Sequence, residues 1–117
     1  MRRVFLLSVL ALGMSVSSFA QEPPAYIVAK LTITDQEVYG DYRAGFGAVF
    51  QQFGGEVVAA SGNPTVLEGE WEATTTVIIR FESRAEALAW YNSDDYQELI
   101  RIRQSASTGE LVLLDGR

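Results

Sequence analysis

The stretch YIVAKLTITDQE, residues 26–37, sets the architecture. Its first eight residues, Tyr26 to Ile33, are rich in β-branched and aromatic side chains and read as a strand. Thr34-Asp35-Gln36-Glu37 follows at once and has the T-x-x-E form of a capping box. The Thr34 hydroxyl can accept an early helix N–H while Glu37 reaches back to the cap. The spacing then predicts a helix from about Asp35 to Phe53. Tyr39, Tyr42, Phe46, Val49, Phe50 and Phe53 recur at steps of three and four and form one apolar stripe. Gly54-Gly55 supplies the left-handed residue that ends it.

Further along, Glu56 to Ser61 reads as a second strand and Gly62-Asn63-Pro64 as a turn, with Thr65 to Glu70 extending the strand beyond a bend. Thr75 to Phe81 is a third strand. Ser83-Arg84-Ala85-Glu86 is a second capping box, opening a short helix to about Tyr91. Asn92-Ser93-Asp94 interrupts that helix, and Ser93 or Asp94 can cap a further helical stretch to about Gln104. Ser105 to Gly109 is expected to be a loop and Glu110 to Asp115 a fourth strand. The order is β-α-β-β-α-β, the ferredoxin-like α+β sandwich, with both helices on one face of an antiparallel sheet. The other face is not polar enough for water. Val28 and Ile78 share it with Tyr26, Lys30, Thr32, Thr76 and Arg80, and the last strand is apolar on both sides. A half-apolar sheet face is an association surface. The expected partner is a second copy, giving a C2 homodimer.

Working back to the start, Met1-Arg2-Arg3 is positive, Val4 to Met14 is an apolar run, and Ser18-Phe19-Ala20 precedes Gln21. That is the charged start, apolar centre and small-x-small cleavage site of a secretory signal peptide. The run is shorter than the roughly 20 residues that span a bilayer. The double arginine faintly resembles a twin-arginine signal, but the Ser or Thr usually found before the pair is absent, which favours general secretion. The expected organisation is a signal peptide at 1–20, a domain at 21–117, and a periplasmic or secreted mature chain without a membrane segment. Removing Met1 to Ala20 from 117 residues leaves 97, and the loss of Arg2 and Arg3 takes the net charge from −6 to −8. Such an acidic domain repels phosphate backbones, so no nucleic-acid partner is expected. The chain has no histidine and no cysteine. Histidine general bases, thiolate nucleophiles, zinc, blue copper and the usual haem ligands are thereby excluded. No cofactor and no metal is expected.

From Tyr26 to Gly116 the chain resembles a known family. Thr34 to Tyr42, Gly54-Gly55, Val66-Leu67-Glu68-Gly69-Glu70-Trp71, Ile79 to Ser83 and Ala89 to Tyr96 occur in order. The series is similar to the domain of unknown function 1330 family (DUF1330), with Gln36 where that pattern commonly has proline. The resemblance implies a dimeric α/β barrel, two ferredoxin-like sheets packed face to face, and assigns no activity. Related dimeric barrels include small monooxygenases and isomerases.

Five residues stand out as ligand-binding candidates: Tyr39, Tyr42, Glu68, Trp71 and Arg80. Tyr39 and Tyr42 share a helix face. Either phenol serves as a hydrogen-bond donor in a cavity, or both are core aromatics with their hydroxyls at the rim. Arg80, on the face assigned to the dimer interior, is an anion clamp or an ion pair, with Glu68 as the candidate partner. Trp71 is a pocket wall or an interface anchor, while Trp90, Tyr91 and Tyr96 are read as packing of the broken helix. Asp94, Asp95 and Glu98 are read as helix-capping acids before a calcium site. No catalytic residue is identifiable. Three functions follow as expectations. The first is a small-molecule binding module with Tyr42, Trp71 and Arg80 as contacts of a cavity between sheet and helices. The second is a cofactor-independent enzyme of the monooxygenase or isomerase type, and the third a homodimeric assembly module without ligand.

Overall fold

The computed structural model describes residues 22–117. The leader expected at 1–20 lies outside them. The elements are β1 (Ala25–Ile33), α1 (Gln36–Gln51), β2 (Glu56–Ser61), β3 (Thr75–Phe81), α2 (Arg84–Asn92), α3 (Asp94–Ala106) and β4 (Ser107–Asp115). The strands form one antiparallel sheet in the order β2-β3-β1-β4. The fold is therefore the ferredoxin-like α+β arrangement, with its second helix broken at Ser93 into α2 and α3. Among the described residues no helix is long and apolar enough to cross a membrane.

The helix starts follow the chemistry of their caps, with one shift. Asp35, not Thr34, caps α1, and its Oδ1 accepts the Val38 N–H at 3.1 Å. The backbone N–H groups of Thr34 and Asp35 both donate to the Ala106 carbonyl, at 2.8 and 3.1 Å. This tether holds both residues against the end of α3 and moves the cap one residue on. Ser83 caps α2 by accepting the Glu86 N–H. Ser93 serves two helices. Its hydroxyl donates to the Trp90 carbonyl at 2.8 Å and accepts the Tyr96 N–H at 3.2 Å. After α1 the chain reverses through Gly54, whose φ of 68° is open to glycine at no steric cost.

Two expected segments differ. Residues 65–70 form no strand and belong to an irregular connection, 62–74, between β2 and β3. Residues 105–109 are not a loop, because α3 runs to Ala106 and β4 begins at Ser107. Their small polar composition resembles a turn, yet β4 pairs with the whole of β1, from Ala25↔Asp115 to Ile33↔Ser107. Gly109 makes this possible: at φ 154° it lies so close to β1 that a Cβ would strike the Lys30 carbonyl oxygen.

On the helix side of the sheet, Ala25, Ile27, Ala29, Leu31, Ile79 and Phe81 are buried beneath an aromatic layer. Trp90 is its centre, fully buried, with its ring 3.9 Å from that of Tyr96 and 5.4 Å from that of Phe81. α1 packs chiefly against α3 and stands off the strands. Its aromatic side chains reach across the gap, and that separation leaves room for a cavity.

The opposite sheet face carries no helix. The register places Ala59, Ile78, Val28 and Val112 in one apolar row across all four strands. Glu56, Arg80, Tyr26 and Leu114 form the row on one side of it, and Thr76, Lys30 and Glu110 lie on the other. An apolar centre between mixed rims is the usual anatomy of a protein interface.

Candidate functional site

A cavity of about 350 Å³ lies between the sheet and the helices. Its sheet wall is aliphatic, with Ala29, Leu31, Val77 and Ile79, and its helix wall is aromatic, with Tyr39, Tyr42, Phe46, Trp90 and Tyr96. Val57, Ala60 and Gly62, exposed at the β2 edge, mark where it opens. A space of this size suits a compact organic molecule.

The ionisable groups of the cavity come from α1 and α3, while Ser61, Thr75 and the Trp90 indole add polar atoms from β2, β3 and α2. The Tyr42 and Tyr96 hydroxyls are 2.8 Å apart and hydrogen-bonded in a buried setting. Burial pushes the Tyr42 phenol far above its ordinary value, and its neighbour Tyr96 adds to the shift. Burial also raises Tyr96 and Tyr39, while the positive charge of Arg103 acts in the lowering direction on all three. The phenols are therefore neutral at physiological pH, and one proton of the Tyr42–Tyr96 pair is held within it. Arg43 stacks its guanidinium 4.8 Å from the centre of the Tyr39 ring.

The raised phenols have a measurable consequence. The folded Tyr42 keeps its proton at a pH where the unfolded chain, with an ordinary value near 10.0, has released it. This contribution to stability is complete below about pH 10 and is lost as the pH climbs toward the folded value. Thermal melts between pH 8 and 11 should show wild-type stability declining above about pH 10, with a shallower decline in Tyr42→Phe. At neutral pH the same variant should cost about 1 kcal/mol, from the lost bond and the stranded Tyr96 hydroxyl. Parallel alkaline slopes would contradict the burial of this pair.

Four of the five residues singled out from sequence divide between the two sides of the sheet, and Glu68 lies on neither. Tyr39 and Tyr42 line the cavity. Trp71 sits on the helix-free side, where its indole N–H donates to Thr76 Oγ1 at 2.9 Å and the Lys30 ammonium lies 4.0 Å above its ring. Arg80 pairs with Glu82 at 2.9 Å and not with Glu68, because residues two apart in a strand direction share a face. Glu68 is exposed in the 62–74 connection. Within one chain, Trp71 and Arg80 thus cannot share a cavity ligand with Tyr42. Asp94 and Asp95 occupy the first turn of α3, and among the described residues no group of three acidic side chains could hold a metal ion.

Sequence reasoning missed Arg103 and took Trp90 and Tyr96 for packing alone. All three line the cavity. The signal for Arg103 was present: Tyr96, Leu99, Ile100 and Arg103 stand at i, i+3, i+4 and i+7, so the arginine completes the buried stripe of α3.

The DUF1330 family (domain of unknown function) matches this sequence over residues 24–117. The chain belongs to the DUF1330 family. Among curated proteins none matches it. Solved structures share the fold at low identity. A protein of unknown function from Rhodopseudomonas palustris is 22% identical, with a TM-score of 0.70 over 82% of this chain and 84% of that one. SnoaB, a cofactor-independent oxygenase from Streptomyces nogalater, is 16% identical, with a TM-score of 0.58 over 81% and 94%. A dimeric ferredoxin-like protein of unknown function from Thermobifida fusca is 9% identical, with a TM-score of 0.57 over 81% and 92%. These likenesses place the DUF1330 chain in the ferredoxin-like fold alone.

Proposed function

We propose that the mature chain is an exported, homodimeric binding module that holds a compact, partly apolar molecule in the cavity between its sheet and helices. The cavity itself carries this reading, since a pure assembly module has no use for about 350 Å³ of aromatic-walled space in a small domain. The signal-peptide pattern at 1–20 supports export. The apolar row on the helix-free face supports a second copy as partner. Binding is favoured over catalysis because the ionisable lining consists of arginines and of tyrosines held neutral by burial. Proton abstraction needs a base poised near the working pH, and none of these groups is one.

The test is to fill the space. Ala60 lines the cavity from an exposed edge strand, so Ala60→Trp should occupy it with little effect on melting temperature. Indole, a neutral bicyclic probe, should bind the wild type in calorimetric titration and fail to bind the filled variant. Absence of binding to the wild type, or equal binding to both, would end the reading.

A further inference from the structure

Arg103 is the anomaly of this cavity. Its relative exposure is only 5%, yet no carboxylate lies within 4 Å of it among the described residues, where the ion pairs are Arg80–Glu82 and Arg84–Asp115. A buried cation normally has an acidic partner, because desolvating a charge is costly. Its Nε also lacks a hydrogen-bond partner. Among the described residues one other buried side-chain polar atom shares that condition, the Trp90 indole nitrogen. Both atoms are donors, and both belong to residues lining the same cavity.

The charge balance points the same way. The chain has 15 acidic residues and 9 basic ones, but the charged side chains of the cavity lining are Arg43 and Arg103, with no Asp or Glu. The neutral phenol of Tyr39 and one hydroxyl of the Tyr42–Tyr96 pair, whose other proton is spent within the pair, add hydrogen-bond donors to the same wall. The last turn of α3, which carries Arg103, offers the carbonyl end of a helix, and this partly offsets its charge. It does not provide a counter-ion.

We propose that the cavity takes an aromatic or otherwise apolar monoanion whose carboxylate pairs with the Arg103 guanidinium, the unmatched charge of the free protein being completed by the ligand. This rests on the reading of the cavity as a binding site and names the class of molecule bound. A planar guanidinium in a dry site is well suited to a carboxylate. The apolar walls accept the rest of the molecule.

Calorimetric titration of the full mature chain with 2-naphthoate and with its neutral isostere 2-naphthamide tests the charge and the cavity separately. The carboxylate should bind at least tenfold more tightly than the amide. Arg103→Met, close in volume and without charge, should melt at or above the wild-type temperature, keep its affinity for the amide and lose the preference for the acid. Arg103→Lys should retain part of that preference. Equal affinities of acid and amide for the wild type would overturn the anion assignment and leave the cavity reading intact. Binding of neither would overturn both. Arg103→Met melting below wild type while keeping the acid preference would make Arg103 a structural residue and refute the proposal.

Discussion

Trp90→Ala is expected to be the most damaging single substitution in the domain, costing about 3–5 kcal/mol. The indole is fully buried, and the rings of Phe46, Phe50, Phe81, Tyr91 and Tyr96 lie within 6.3 Å of it. It joins the sheet floor to all three helices, so truncation leaves a void that no neighbour can fill without moving an element. A domain of this size has a total stability of about 5–15 kcal/mol. The melting temperature should therefore fall by more than about 10 °C, measured by circular dichroism or calorimetry. A drop of only a few degrees would mean that the aromatic layer is not the organising core.

The second large effect is expected on the opposite surface. Ile78 lies in the middle of the apolar row Ala59–Ile78–Val28–Val112. In a C2 dimer formed by this face the residue is buried twice, so Ile78→Lys introduces two unpaired charges near the centre of one interface. An unpaired buried charge costs about 3–5 kcal/mol, and association should weaken by more than about a hundredfold. Native mass spectrometry of wild-type protein spanning residues 22–117 at micromolar concentration should show twice the subunit mass, and the variant a single subunit. Since residue 78 borders solvent in one chain, the variant subunit should remain folded. A wild-type monomer, or a lysine variant that stays dimeric, would remove this face as the contact.

The sequence was legible wherever periodicity and cap chemistry agreed. The stripe from Tyr39 to Phe53 and the alternation in Thr75 to Phe81 required a helix and a strand with defined inner faces, and both formed. Ser83 and Ser93 cap their helices because each hydroxyl is followed by an N–H it can reach. Local chemistry failed where long-range contacts decided the outcome. Thr34 is a competent cap, but the Ala106 carbonyl holds its backbone outside the helix. Ser107-Thr108-Gly109 looks like a turn, and only its pairing with β1 shows why glycine is needed there.

The candidate site was less legible for a related reason. Tyr39 and Tyr42 were found because they sit in an aromatic stripe, and Trp71 and Arg80 were grouped with them by chemical type. The sheet then separated the two pairs. Arg103 lies between Ile102 and Gln104, in a run that includes Arg101, and arginine in such surroundings usually faces solvent. Its place on the buried stripe of α3 is readable from the helical spacing, but that the stripe faces a cavity follows from α1 packing on α3 and not on the strands.

The direct passage from α3 into β4 has a mechanical consequence. The Ser107 hydroxyl donates to the Arg103 carbonyl at 2.6 Å, and three residues after Arg103 the Ala106 carbonyl receives the amides of Thr34 and Asp35, between β1 and α1. The backbone bearing the cation is thus clamped both to the strand that follows it and to the connection between β1 and α1. Its conformational freedom is surrendered when the protein folds, so an incoming molecule has little left to immobilise. Residence time in the cavity should accordingly be governed by how the molecule escapes past the β2 edge, and not by loosening of the helix that holds the charge.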